Sequence, residues 1–373
     1  MAKAKYTKNS RGRFETKVWD GTFTPDGFKH RIVISSTKSS ADLERKVQEH
    51  KQALASGNTL RRSNYLFGEY AKHWLDTKKN LLEINTQAMY TNIIMTHLSF
   101  LDEIPLADIS NSHFQQAINH ASDKPRTCQQ IYLTFKQIMR MAESDAYIGS
   151  GQLNLILRDI SIPKYKRSEK RPLTAIERQS LLEAEFTPME KTFVFILYGC
   201  GLRRGEALAL SVFDFNFSEC TVTINKAIVF DKNDSVLKNS PKSENGYRTV
   251  PLPTYTLDAV RPYVQSLSGS NLFVKNDGKP ITKSSYCKMW ASIIKKMNTA
   301  AGGTESFPIV SDLTAHIFRH NYCTNLCYQV PTISVKKIAQ LLGDSEKMVL
   351  EVYNHIMEEK EDASTVVNKA MAL

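Results

Sequence analysis

Two polar breaks do most to limit what this chain can fold into. The stretches LASGNTLRRSN, ending at Asn64, and PKYKRSEKRPLT (163–174) lack the apolar periodicity of their surroundings and are rich in turn and basic residues. In the second, Pro163 and Pro172 bracket Lys164, Lys166, Arg167, Lys170 and Arg171. At 373 residues the chain is too long for one ordinary domain. The breaks therefore predict a multidomain protein, with domains at 1–58, 63–160 and 172–373.

The three pieces differ in pattern. In the first, RFETKVW and FKHRIVIS alternate as strands, and SSADLERKVQEHKQAL has helical spacing with Ser40 as its N-cap. The expectation is a small, basic β-sheet braced by one helix. In the second, LFGEYAKHWLDTK, INTQAMYTNIIMTHLSFL, SNSHFQQAINHAS and PRTCQQIYLTFKQIMRMAESDAY each repeat apolar residues at i, i+3/i+4. That predicts an all-α domain of four or five helices, with Phe67, Trp74, Phe100 and Phe114 in its core. The third piece is mixed. TAIERQSLLEAE, EKTFVFILYGCG, TLDAVRPYVQSL, SSYCKMWASIIKKMN, HIFRHNYCTNLCYQ, ISVKKIAQLL and DASTVVNKAMA read as helices. CTVTINKAIVF reads as one strand with GYRTVPL as its partner. An α+β domain with a small antiparallel sheet is expected.

Charge narrows the partners. A formal net charge of +11 favours a polyanion, nucleic acid before an acidic membrane. The six cysteines are spread without a C-x-x-C pair, which suits a reducing cytoplasm. No apolar run approaches the ~20 residues of a membrane helix, and no apolar run follows the basic N-terminus, so neither a membrane nor a secretory route is expected.

Phosphate-loop, dinucleotide, zinc-protease and nucleophile-elbow patterns are missing from the sequence. His316, His320, Cys323 and Cys327 share one helical face and invite a metal. Their ends would lie about 16 Å apart along the axis, too far for one ion. No metal or cofactor is expected, and the two cysteines are assigned to packing. A second chemistry fits better. Breaking a phosphodiester without a metal needs fixed positive charge on the non-bridging oxygens, and arginine supplies it bidentately at every pH. Arg203 follows the end of an apolar helix, and Arg319 lies one turn from His316.

GLRRGEALAL (201–210), HIFRH (316–320), LLGD (341–344) and VYNHI (352–356) resemble, in order and spacing, the four motif boxes of the tyrosine recombinase, or phage integrase, family. The resemblance covers the whole chain and is strongest to integrases of conjugative transposons and Gram-positive phages. It implies an arm-binding sheet domain, a helical core-binding domain and an α+β catalytic domain of tyrosine-recombinase type. Position by position, it implies catalytic roles for Arg203, His316 and Arg319, with Tyr353 as nucleophile and Glu206 in support. PKSENGYRTVPL (241–252) resembles the β-hairpin box, so Lys242 matches the catalytic lysine, with Lys232 and Lys238 nearby.

The implied activity is site-specific cleavage and rejoining of double-stranded DNA through a 3′-phosphotyrosyl intermediate, integrating and excising a mobile element. The implied assembly is a homotetramer on core and arm sites, with an excisionase or host DNA-bending protein as accessory. A type IB topoisomerase-like nicking-closing enzyme and a DNA-binding regulator with a decayed site are the alternatives. One position departs from the pattern. Asp344 stands where the family usually has histidine. An ionised aspartate cannot donate to a phosphate, so it is expected either to point away, capping the next helix, or to leave the task to a neighbouring donor.

Overall fold

A computed structural model describes residues 4–23, 29–55, 65–149, 151–165, 171–239, 246–275 and 277–360. The chain divides into two compact units, Met1–Arg167 and Ser168–Leu373.

In the first unit, β1 (Phe14–Phe23) and β2 (Lys29–Ser36) pair antiparallel, with Val18 opposite Ile32 and Thr16 opposite Ile34. Helix α1 (Ser40–Ala55) packs on this ribbon through Leu43 and Val47, which are buried. Its N-terminus is capped by Ser39, not Ser40: the Ser39 hydroxyl accepts the Asp42 N–H at 3.0 Å, while Ser40 Oγ accepts the N–H of Tyr6. The N-cap is set by which hydroxyl reaches the third helical N–H, and adjacent serines are indistinguishable in sequence.

The helical part of this unit comprises α2 (Phe67–Lys78), α3 (Ile84–Asn92), α4 (Asn111–Asn119), α5 (Pro125–Ser144) and α6 (Gln152–Leu157). Phe67, Trp74, Phe114 and Phe135 are fully buried in its core, and the Phe114 and Phe135 rings stack at 4.0 Å. Phe100 packs half-buried against the same cluster. These aromatics are core residues, as their spacing predicts.

The second unit opens with α7 (Ala175–Glu183) and α8 (Pro188–Cys200). Both start at capping boxes, Thr174 with Glu177 and Thr187 with Glu190. Arg171, in the basic break, is tied to this unit. Its guanidinium is bidentate to the buried Glu177 at 2.6 and 2.7 Å, so the end of the basic break belongs to this unit. Helix α8 is the apolar centre, with Phe193, Val194, Ile196, Leu197 and Cys200 wholly buried.

The sheet differs from expectation. CTVTINKAIVF is two strands, β4 (Thr221–Ile224) and β5 (Ala227–Asp231), in different sheets. β4 lies between β3 (Phe215–Asn216) and β7 (Arg248–Pro251), burying Val222, Ile224 and Val250. β5 pairs with β6 (Asp234–Lys238) across a two-residue turn, where Lys232 takes a left-handed conformation at φ 53°. The break falls at Asn225–Lys226. Lys226 leaves the ladder to bind Asp214 and Ser211, and so separates a buried strand from a half-buried ribbon.

Helices α9 (Arg204–Leu208), α10 (Thr254–Ser266), α11 (Lys283–Ala300), α12 (Ala315–Cys327), α13 (Val335–Leu342) and α14 (Glu346–Lys360) complete the unit. The tail helix expected over DASTVVNKAMA lies outside the described residues. Cys323 and Cys327 are buried in an apolar cluster with Ile338, Leu342, Val349 and Ile356. No helix among the described residues is long and apolar enough to cross a membrane.

Candidate active site

The site is assembled around the C-terminal end of α13. Gly343 takes a left-handed conformation (φ 62°), the Gly343 N–H bonds the Gln340 carbonyl and the Asp344 N–H bonds the Ala339 carbonyl. This Schellman closure leaves the carbonyls of Leu341, Leu342 and Gly343 without helical partners. Each accepts from a different arginine. Arg248 Nε donates to Leu341 O at 2.8 Å, Arg319 NH2 to Leu342 O at 2.7 Å and Arg203 NH2 to Gly343 O at 3.0 Å. The partial negative charge of a helix C-terminus favours such cations.

Each arginine comes from its own element. Arg203 precedes α9, after α8 is closed by the left-handed Gly201 (φ 61°). A Cβ on Gly201 would lie 2.4 Å from the Tyr322 ring, so glycine is required both by the backbone and by the packing. The Gly201 carbonyl accepts from Arg319 NH1 at 3.0 Å. Arg319 lies on α12 and is buried, whereas His316, one turn earlier, is exposed. Both line a cleft of about 610 Å³ together with Arg203, Arg204, Tyr286 and Trp290. The helical spacing therefore does place His316 and Arg319 on one face.

Glu206 ties two of the arginines together. It accepts the Arg203 backbone N–H (2.9 Å), Arg203 NH1 (2.9 Å) and both terminal nitrogens of Arg248 (3.2 and 2.7 Å). Burial opposes its charge, but the bonds and charges of Arg248 and Arg203 win, so its acidity is strengthened. The Arg319 pKa is lowered as well, to about 10, first by burial and then by repulsion from Arg203, which here disfavours the charged form. The guanidinium remains cationic at neutral pH.

Asp344 does not point away. Its Oδ2 accepts from Arg319 NH2 at 3.0 Å and from Arg203 NH2 at 3.2 Å, and its Oδ1 accepts the Ser345 N–H at 3.1 Å. The Schellman turn directs the residue after Gly343 back over the helix end, where the arginines are. Burial works against the carboxylate's charge, but the bonds from Arg319 and Ser345, with Arg203 close by, hold its pKa below the usual value.

Tyr353 is half-buried on α14, packed on the cluster of Cys323, Leu342 and Val349. It is not in the wall of the arginine cleft, nor of the smaller one lined by His316, Arg319, Asp344, Met348 and Val352. Lys242 lies outside the described residues, between Lys238 at the end of β6 and Arg248 at the start of β7. Among the described residues, no group of three His, Cys, Asp or Glu side chains could hold a metal ion.

Two residues escaped the sequence reading. Arg248 sits in the hairpin stretch, but nothing in its neighbourhood marks it as the partner of Glu206, 42 positions earlier. Arg204 lies over the rings of Phe230 (5.5 Å) and Tyr286 (5.3 Å), which fix an exposed cation beside Arg203. The doublet RR at 203–204 was the available signal.

Residues 171–360 match the model of the phage integrase family, and residues 66–122 match that of the phage integrase N-terminal SAM-like domain. The chain belongs to the phage integrase family, the tyrosine-type site-specific recombinases of mobile elements. A tyrosine recombinase XerC-like protein of Caldanaerobacter subterraneus subsp. tengcongensis is 20% identical, over 98% of each chain. Among solved structures, the Tn1549 transposon integrase bound to transposon right end DNA superposes with a TM-score of 0.64 at 19% identity, over 83% of this chain and 100% of that one. A lambda integrase tetramer bound to a Holliday junction matches with a TM-score of 0.58 at 15% identity, over 93% of each chain.

Proposed function

We propose that the arginine cleft is the seat of a scissile DNA phosphate and that Tyr353 is the nucleophile. The convergence of Arg203 and Arg319 on one point beside His316 carries this reading. Two guanidiniums held on rigid carbonyls are pre-organised for the charge that develops on the phosphoryl oxygens. Arg248 and Glu206 act on Arg203 and are positioning residues.

In the step proposed, Tyr353 Oη bonds to phosphorus and the P–O5′ bond breaks. The phenol proton passes to His316 or water, and Lys242 protonates the departing 5′ oxygen. A 3′-phosphotyrosyl link results, and a 5′-hydroxyl reverses the reaction without ATP. Arginine supplies the charge stabilisation, so cleavage is expected to persist in excess chelator. Loss of cleavage in EDTA with rescue by Mg²⁺ would contradict it.

The substrate proposed is double-stranded DNA with core and arm sites, supported by a net charge of +11 and by the DNA-bound states of the structural neighbours. The division 1–58, 63–160 and 172–373 would then be arm-binding, core-binding and catalytic. A homotetramer on DNA, an excisionase or host DNA-bending partner and a cytoplasmic site of action complete the proposal. The deciding experiment is a suicide substrate carrying the attachment core. Wild type should form a covalent adduct that Tyr353→Phe loses, and strand exchange between two sites separates recombination from simple nicking and closing. An unchanged Tyr353→Phe phenotype would favour a DNA-binding regulator.

A further inference from the structure

The two arginines of the cleft already hold an anion, and it belongs to the chain. Arg203 NH2 and Arg319 NH2 each give one hydrogen to a backbone carbonyl, Gly343 O and Leu342 O. Each gives the other to the same atom, Asp344 Oδ2, at 3.2 and 3.0 Å. A terminal guanidinium nitrogen has two hydrogens, so both are fully used. The hydrogens of these nitrogens that converge on one point are the pair a non-bridging phosphate oxygen would need.

Charge leads to the same conclusion. Arg203, Arg248 and Arg319 face Glu206 and Asp344, so this cluster carries one net positive charge. With Asp344 turned out, the rest would carry two. The carboxylate has somewhere to go. Its side chain is 32% exposed, whereas those of Arg319 and Arg248 are 5% exposed. The Schellman turn fixes its backbone, so a side-chain rotation would suffice to empty the seat.

We propose that Asp344 is a built-in occupant of the scissile-phosphate seat, which the phosphate must displace before the nucleophile can act. The inference rests on reading the cleft as a phosphate seat. It makes Asp344 an autoinhibitory contact confined to the reacting phosphate. Overall DNA affinity is spread over many other phosphates and should barely change. A histidine or asparagine at this position would leave the seat open or weakly held.

The test uses the full chain, wild type against Asp344→Asn and Asp344→Ser. Adduct formation on a suicide substrate should be roughly tenfold faster in both variants, as expected for loss of a charge-assisted contact, with DNA dissociation constants within about threefold of wild type. In the DNA-free protein, inorganic phosphate titrated by calorimetry should bind roughly tenfold tighter to the variants. Slower adduct formation with unchanged phosphate binding would make Asp344 a strut for the arginines and overturn the proposal. Should the wild type form no adduct at all, the functional reading fails. Phosphate binding then decides alone whether Asp344 occupies an anion seat. Thermal melts accompany each variant, and the serine substitution serves if the asparagine one does not fold.

Discussion

Glu206 and Arg248 form a two-toothed ion pair, 3.2 and 2.7 Å long, with side chains only 8% and 5% exposed. The pair joins α9 to β7 and, through Arg203, reaches the cleft. Removing one partner strands the other as a buried charge. Arg248→Met should therefore cost about 3–5 kcal/mol in urea denaturation. Arg248→Lys should recover only part of this, since an ammonium cannot span both carboxylate oxygens and Leu341 O. A loss below 1 kcal/mol would mean the pair is not buried as described.

Acid should weaken the same pair. Glu206 has a folded pKa below its ordinary 4.5, so its ionised form is favoured by folding. Its contribution is complete above the unfolded value and is lost as pH falls through the folded one. Stability of wild type should be flat in this respect at neutral pH and decline below about 4.5. Glu206→Gln should lower stability at neutral pH and flatten part of the acid slope. Parallel pH curves for the two proteins would count against the assignment.

Gly201 should tolerate no side chain. Its φ is 61° and a Cβ would meet the Tyr322 ring at 2.4 Å. Gly201→Ala adds left-handed strain of about 1–2 kcal/mol to that clash. A lowered melting temperature and a displaced Arg319, which bonds the Gly201 carbonyl, should appear together. Tyr322→Ala should relieve the clash but not the strain, so the double variant should recover only in part.

Arg204 offers a test of the DNA face. Held over Phe230 and Tyr286, it projects into the cleft beside Arg203. If it meets a backbone phosphate, Arg204→Gln should weaken binding alike on all sequences. The slope of log K against log salt should fall by about 1. An unchanged slope would place Arg204 off the DNA.

Much of this protein was legible in sequence because the signals are local. Helical periodicity located α2 to α5 and buried Phe67, Trp74 and Phe114, since burial of one helical face depends only on residues three and four apart. The i, i+3 spacing put His316 and Arg319 on one wall for the same reason. What failed was longer in range or finer in detail. A continuous alternating run split into β4 and β5 because Lys226 was drawn to Asp214, twelve positions away. Arg248 had no local mark, because its partners Glu206 and Leu341 are brought to it only by folding.

Asp344 shows the division most sharply. The residue types, the helix stop at Gly343 and the departure from the family pattern at the next position are local features and can be read from the chain alone. Whether that carboxylate faced water or the arginines was decided by tertiary structure alone. The closing turn of α13 aims it back at the helix end, and Arg203 and Arg319 arrive there from elements 140 and 23 residues distant, counted to Gly343 and Leu342. A charge goes where the opposite charges converge, and convergence is a property of the fold.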